Sequence, residues 1–202
     1  MKVIGLTGPT GAGKTVVSQM MDLPTVNADQ VARQIHKDPV VLAELCERFG
    51  NDIVRDGALN RTLLATRAFC TPHDTEDLNN ITHPRILEKI CLELSRLEQA
   101  GHAFCILDAP LLFEAGCYQL CHTTVAVLAS RDLRKTRIVE RDGISGEMAE
   151  QRIAAQHSDE YFKERCEFIV YNSGDIVELN NVAKDILQQI KAKFSIGGST
   201  NG

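Results

Sequence analysis

Gly8-Pro9-Thr10-Gly11-Ala12-Gly13-Lys14-Thr15 carries the densest potential chemistry in the chain. It fits the spacing G-x-x-x-x-G-K-[ST], and its residue types suit a polyphosphate. Glycines at 8, 11 and 13 let backbone N–H groups, that of Ala12 among them, turn inward as an anion nest. A helix starting near Gly13 adds the positive end of its dipole. Lys14 can reach the β- and γ-phosphates of a nucleotide, and the Thr15 hydroxyl can ligate Mg²⁺. Pro9 has no N–H and offers the phosphates nothing. The competing reading is a glycine-rich turn with no ligand. Alone, the motif says nucleoside triphosphate and leaves kinase, GTPase, motor ATPase or transporter subunit open. No Asn-Lys-x-Asp guanine reader occurs, and Ala109 follows Asp108 where a motor would carry a second acid. A short chain with a helical insertion favours a small-molecule kinase.

Other groups fall where such a site needs them. Asn27-Ala28-Asp29 begins where a second strand should end, and strand carboxyl ends face the ligand crevice in open parallel sheets. Asp29 can point a carboxylate at an acceptor hydroxyl, or it can simply cap the next helix. Asp108 ends an apolar run and can hold Mg²⁺ through water, or merely close a strand. Arg137 and Arg141 stand four apart, on one helix face. They can neutralise a transferring phosphoryl group, or form a solvated basic face with Glu140. Cys117-x-x-x-Cys121-His122 is the one cluster to test as a metal site, but zinc would need a further ligand pair that is missing.

The elements that must position these groups follow from apolar patterning. The chain has 202 residues, 44% hydrophobic and 24% charged, which suits one sizeable globular domain rather than a disordered chain. Its charge is −5, from 22 basic against 27 acidic residues, which argues against a nucleic-acid binder working by bulk charge. No apolar run approaches a membrane span. The seven cysteines, with no export signal, read as reduced thiols of a cytoplasmic protein. Short apolar runs at Lys2–Thr7, Pro24–Asn27, Ala103–Leu107, Thr123–Leu128 and Phe168–Tyr171 alternate with helical patterns. That alternation predicts an α/β fold, a parallel sheet flanked by helices. Residues 30–100 show helices and no clear strand, hence an inserted helical region. Within it the spacing predicts a helix opened by Pro84 and running to Gln99, with an apolar stripe of Ile86, Leu87, Ile90, Cys91, Leu94 and Leu97. Residues 131–165 form a charged helical stretch with six arginines.

Taken together, the motifs resemble the dephospho-coenzyme A kinase family, from about residue 3 to 175. The resemblance rests on the phosphate loop, Asn27-Ala28-Asp29 with Ala32-Arg33, and Leu78-Asn79-x-Ile81-Thr82-His83-Pro84. It continues through Asp108-Ala109-Pro110-Leu111-Leu112-Phe113-Glu114, Arg141-Asp142, Arg152-Ile153-x-x-Gln156 and Asn172-x-Gly174. It implies a P-loop NTPase-type fold, with ATP and Mg²⁺ used to phosphorylate the 3′-hydroxyl of dephospho-CoA, the last step of coenzyme A synthesis. Asp29 would be the catalytic carboxylate, with Lys14, Arg137 and Arg141 stabilising the transferred group. Gly8, Gly11, Ala12, Gly13, Lys14 and Thr15 would hold the phosphates. Asn172 and Gly174 would contact adenine, although Asn-x-Gly is also a common turn. His83, Arg85, Asp108, Leu112 and Phe113 would bind the acceptor. His83 can equally open a helix, Arg85 can be a surface charge, and Phe113 can be plain core. The implied division is a nucleotide-binding core of residues 1–29, 102–130 and 166–195, a CoA-binding insertion of 30–101, a lid of 131–165 and a flexible tail of 196–202. A monomer is favoured, with no nucleic-acid or membrane partner. Another small-molecule kinase, of a nucleoside or sugar, and a catalytically impaired nucleotide-binding relative are the alternatives.

Overall fold

The structure is a computed structural model and describes residues 1–55 and 57–196. In chain order its elements are β1 (Lys2–Thr7), α1 (Lys14–Met21), β2 (Thr25–Asn27), α2 (Ala28–Ile35), α3 (Pro39–Phe49), β3 (Val54–Arg55), β4 (Ala58–Leu59), α4 (Arg61–Ala68) and α5 (Pro72–Gln99). They continue with β5 (Phe104–Asp108), β6 (Thr123–Leu128), α6 (Arg131–Asp142), α7 (Gly146–Ala154), α8 (Asp159–Arg165), β7 (Phe168–Tyr171) and α9 (Ile176–Ile196). The chain divides into two compact units, one of residues 1–26 with those from 100 on, the other of residues 27–99.

The first unit is built on a five-stranded sheet of order β2-β5-β1-β6-β7. β1 runs parallel to β5 on one side and to β6 on the other, and β6 runs parallel to β7. A central strand is covered on both faces, so its side chains are apolar without alternation. Val3, Ile4 and Leu6 accordingly lie in the interior. One face takes Val17 and Met21 of α1 and a stripe of α9, Leu179, Ala183, Ile186, Leu187 and Ile190. That spacing of three and four keeps the stripe on one side of the helix. The topology sets the carboxyl ends of β1, β6 and β7 side by side. The loop after β1, the start of α6 and the turn after β7 all leave from that edge.

The charged stretch 131–165 is three helices rather than one. Each opens on a serine whose hydroxyl accepts a first-turn amide: Ser130 from Leu133, Ser145 from Met148 and Ser158 from Tyr161. Gly143 closes α6 in the left-handed conformation. Ile138, Ala149 and Ile153 join α6 to α7, while Phe162 of α8 packs against Ala126 and Leu128.

The second unit has its own core of Ile35, Val41, Leu45, Phe49, Ile53, Leu64 and Ala68. Its helices start on side-chain caps from Asn27, Asp38 and Asn60. Four expectations are corrected here. The helix expected to open at Pro84 begins at Pro72, and Pro84 lies inside it. Proline there withholds one amide from the carbonyl four residues back. Asn80 is exposed, so water can take that carbonyl, and Leu78, Ile81 and Ile86 pack on the unit's core across the interruption. Packing thus overrides the local breaker. Along the expected stripe Ile90 and Leu94 are buried, whereas Cys91 is exposed. The region also contains strands: β3 and β4 pair antiparallel. Two residues each are too few for a period-two pattern to register. Ile196, expected to begin the tail, ends α9; the rest of that tail, 197–202, lies outside the described residues.

Candidate nucleotide site

The loop 8–13 leaves the central strand and runs into α1, whose N-terminal flank is Gly13 at φ 97°. The first-turn amides of any helix have no intrahelical partner and face outward along the axis. Here they belong to Lys14 and Thr15, since the Val16 amide already donates to the Gly13 carbonyl at 3.1 Å, so the end of α1 is positive where a phosphate would arrive. Lys14 folds back over the loop, and its ammonium donates to the Gly8 carbonyl at 2.7 Å and the Pro9 carbonyl at 3.5 Å. The Thr15 side chain is exposed. Gly8 sits against the Val127 carbonyl of β6.

Gly13 is glycine for a reason beyond its φ. A Cβ there would stand 2.4 Å from Asn172 Nδ2. Asn172 is buried at the end of β7, and its amide group donates to the Ala12 carbonyl at 2.8 Å. Its Oδ1 accepts from Arg137 Nη2 at 3.0 Å and from the Gly174 amide at 3.2 Å. Arg137 Nη1 reaches the Gly11 and Ala12 carbonyls at 3.3 and 3.5 Å. Arg137, Asn172, Gly174 and the loop therefore form one hydrogen-bonded cluster. Arg141 is looser: it forks onto Asp142, and one nitrogen lies 3.5 Å from the Thr10 hydroxyl. Its hydrogen bonds hold the Asp142 carboxyl below its usual range. Neither arginine is paired with Glu140, as the solvated-face reading required. Beside the cluster lies a groove of about 410 Å³, lined in part by Leu128, Ala129, Leu133, Tyr171 and Asn172.

The remaining expected residues are placed less uniformly. Asn27, not Asp29, caps α2, accepting from the Gln30 amide at 2.9 Å. Asp29 is exposed in the first turn of that helix, so the capping reading does not hold for it. Asp108 is buried at the carboxyl end of β5, in register with Leu6 of β1. The oxygens of Asp108 and Thr15 are the donor types that a hard divalent cation takes, so the residues fit Mg²⁺. His83 lies inside α5 rather than opening it, and burial lowers its pKa, favouring the neutral ring. Arg85 is exposed, with Glu44 and Glu88 at 3.7 and 3.6 Å. Leu112 is wholly buried, and Phe113 packs on Tyr118 and Tyr161 with ring centroids at 5.7 and 6.1 Å. Phe113 is only partly buried. Glu114 is held by His157 Nε2 at 2.7 Å and by the Tyr161 hydroxyl at 3.3 Å.

No group of three metal-ligating side chains occurs among the described residues. Cys117 is buried, the Cys121 thiol is pushed up to about 12 by burial and its thiol neighbours, and His122 Nδ1 accepts from the Val3 amide. Nor is any described helix long and apolar enough to cross a membrane. Two residues of the cluster had no assigned role in the sequence: Arg134 and Gln156, both bonded to Thr10. The signal for Arg134 was its place three residues before Arg137, on the same helix face.

Known proteins resemble this chain over nearly its whole length. The Dephospho-CoA kinase family profile matches residues 2–178. A dephospho-CoA kinase of Anaeromyxobacter dehalogenans is 36% identical over 95% of this chain and 93% of its own. A crystal structure of a Thermus thermophilus protein superposes with a TM-score of 0.81 at 30% identity, over 93% of this chain and 97% of that one. The dephospho-CoA kinase from Campylobacter jejuni shares the fold, with a TM-score of 0.69 at 24% identity, covering 94% of this chain and 98% of its own.

Proposed function

The chain belongs to the dephospho-CoA kinase family, and from that premise we propose how its residues move the γ-phosphoryl group of ATP to the 3′-hydroxyl of dephospho-CoA. The observation that carries the reading is the polarity of the loop: Lys14, Arg137 and Asn172 hold its carbonyls, and α1 offers its amino end beside them. A polyphosphate laid on that end meets N–H groups and a positive dipole. The adenine takes the groove bounded by Leu133, Tyr171 and Asn172. Lys14 leaves the Gly8 carbonyl for the β- and γ-phosphates, and Arg141, the less committed lid arginine, gathers charge on the group in transfer. Arg137 stays with the loop and Asn172, so its contribution is to hold the nucleotide end of the site. Thr15 would hold Mg²⁺, with Asp108 acting through water, and the ion, when bound, would supply neutralisation of the phosphate charge.

Asp29 takes the proton of the acceptor hydroxyl as the new O–P bond forms and the bond from the γ-phosphorus to the β-phosphate oxygen breaks. His83, neutral, and Arg85 belong to the acceptor half, in residues 27–99. A coupled ADP-release assay with Mg²⁺-ATP tests the reading. Dephospho-CoA should give turnover where nucleosides and simple sugars do not. Folded protein that binds ATP and releases no ADP with dephospho-CoA would overturn it.

A further inference from the structure

We propose that Arg134 and Gln156 are positioning residues for the nucleotide: together they fasten the backbone of Thr10 and so fix where the arc of phosphate-facing amides begins. The proposal rests on the reading of the loop as the ATP site. Arg134 is 5% exposed, and its Nε donates to the Thr10 carbonyl at 3.0 Å. Its Nη2 donates to Gln156 Oε1 at 2.9 Å, and the same oxygen accepts the Thr10 amide at 3.0 Å. Both backbone polar groups of Thr10 are thus held by two side chains that also hold each other.

A buried guanidinium is costly to desolvate, and an apolar side chain could fill the same volume. The charge at 134 is explained by what it grips. The grip also has a direction. Residue 9 is proline and has no amide to offer. Thr10 has one, but Gln156 takes it. The first two positions after Gly8 therefore give the phosphates nothing, and the arc starts at Gly11, skipping Ala12, whose amide donates to the Pro9 carbonyl at 3.3 Å. At Gly11 α6 comes close, since a Cβ there would stand 2.8 Å from the Arg134 carbonyl. Arg134 and Arg137, three residues apart on α6, thus hold the successive carbonyls of Thr10, Gly11 and Ala12. Gln156 follows the last turn of α7, with its own amide on the Ile153 carbonyl. It ties the far end of the α6–α7 pair to the same loop residue.

Gln156 is exposed, so its replacement should leave the fold intact. The test compares Gln156→Ala and Gln156→Glu in the full chain, by ADP titration calorimetry, thermal midpoint, and KM for ATP and for dephospho-CoA. Gln156→Ala should weaken ADP binding and raise KM for ATP about tenfold, the usual loss for a hydrogen bond to a charged partner. Its midpoint and its KM for dephospho-CoA should not move. Gln156→Glu keeps an acceptor for both donors and should stay within about twofold of the parent. Arg134→Lys, which cannot fork to two acceptors, should behave like Gln156→Ala. If that variant fails to fold, the Gln156 pair decides alone. Equal ADP affinity in parent and Gln156→Ala overturns the proposal by itself. So does a loss that only tracks a lowered midpoint, or one that Gln156→Glu does not rescue. A parent protein that binds no ADP overturns the ATP-site reading, and the proposal with it.

Discussion

Replacing Gly13 by alanine separates two roles of one residue, backbone freedom and close approach. At φ 97° an L side chain is strained, by about 1–2 kcal/mol in the left-handed region. The added Cβ would also stand 2.4 Å from Asn172 Nδ2, so Asn172 must give up its bond to the Ala12 carbonyl. Asn172 is buried, so its displaced donor finds no water, at about 1–3 kcal/mol. The sum is about 2–5 kcal/mol. Gly143→Ala supplies the control. It sits at φ 64° with nothing within 4 Å of its added Cβ, so it carries the strain of about 1–2 kcal/mol alone. Urea denaturation of both variants reads the difference, and ADP titration reads its consequence. Gly13→Ala should be the less stable and should bind ADP more weakly, because moving Asn172 also releases Arg137. If Gly13→Ala loses no more stability than Gly143→Ala, the Asn172 contact is not what excludes a side chain at position 13.

Asp29→Asn should cut turnover by about 10²–10⁴-fold, the span of general-base catalysis, while calorimetric ADP affinity stays put; unchanged turnover would remove Asp29 from the chemistry. Asp142 has a folded-state pKa depressed by Arg141 and, further down, Arg152. Its contribution is therefore present above the ordinary carboxylate range and is lost as pH falls below about 4. The thermal midpoint of Asp142→Asn should accordingly differ from that of the parent at pH about 7, and the gap should narrow as the pH is lowered below about 4; parallel curves would contradict the pairing. Iodoacetamide labelling at pH about 8, read by mass spectrometry, should modify exposed Cys70 and Cys91 first, and Cys121 only later, with the buried Cys105, Cys117 and Cys166. Early labelling of Cys121 would contradict its packing against Gly5.

The strands were legible because each is a short apolar run ended by a turn residue, and β1, β6 and β7 match those runs residue for residue. The loop 8–13 was legible as a turn from strand to helix because its signal is local: eight adjacent residues state it. Where the sequence misled, the deciding interaction was long-range. Pro84 reads as a helix opener, yet packing on both sides carries α5 through it. Leu112 and Phe113 sit in a distinctive motif, but only the fold shows Leu112 wholly buried and Phe113 partly so. Asn27 and Asp29 are two residues apart and both can cap a helix; geometry alone assigns the cap to Asn27. Six arginines in 131–165 were visible as charge. Which of them touch the loop, more than 120 residues away in sequence, was not.

The arginines explain why the loop can receive an anion at all. A peptide that turns its amides to one side presents its carbonyls elsewhere, and those carbonyls repel phosphate unless something holds them. Here each one from residue 8 to residue 12 meets a donor. Lys14 takes Gly8 and, with the Ala12 amide, Pro9; Arg134 takes Thr10, Arg137 takes Gly11 and Ala12, and Asn172 also takes Ala12. All these side chains but Lys14 come from α6 and the end of β7, which the strand order brings to the loop. Lys14 is also the only one of these side chains in the motif itself. It can leave its carbonyls for a phosphate, because the Gly8 and Pro9 carbonyls lie at the start of the loop, ahead of the amides that meet the anion. The others cannot leave without freeing carbonyls beside those amides. The motif thus supplies the mobile cation, and the helix after β6 supplies the fixed ones.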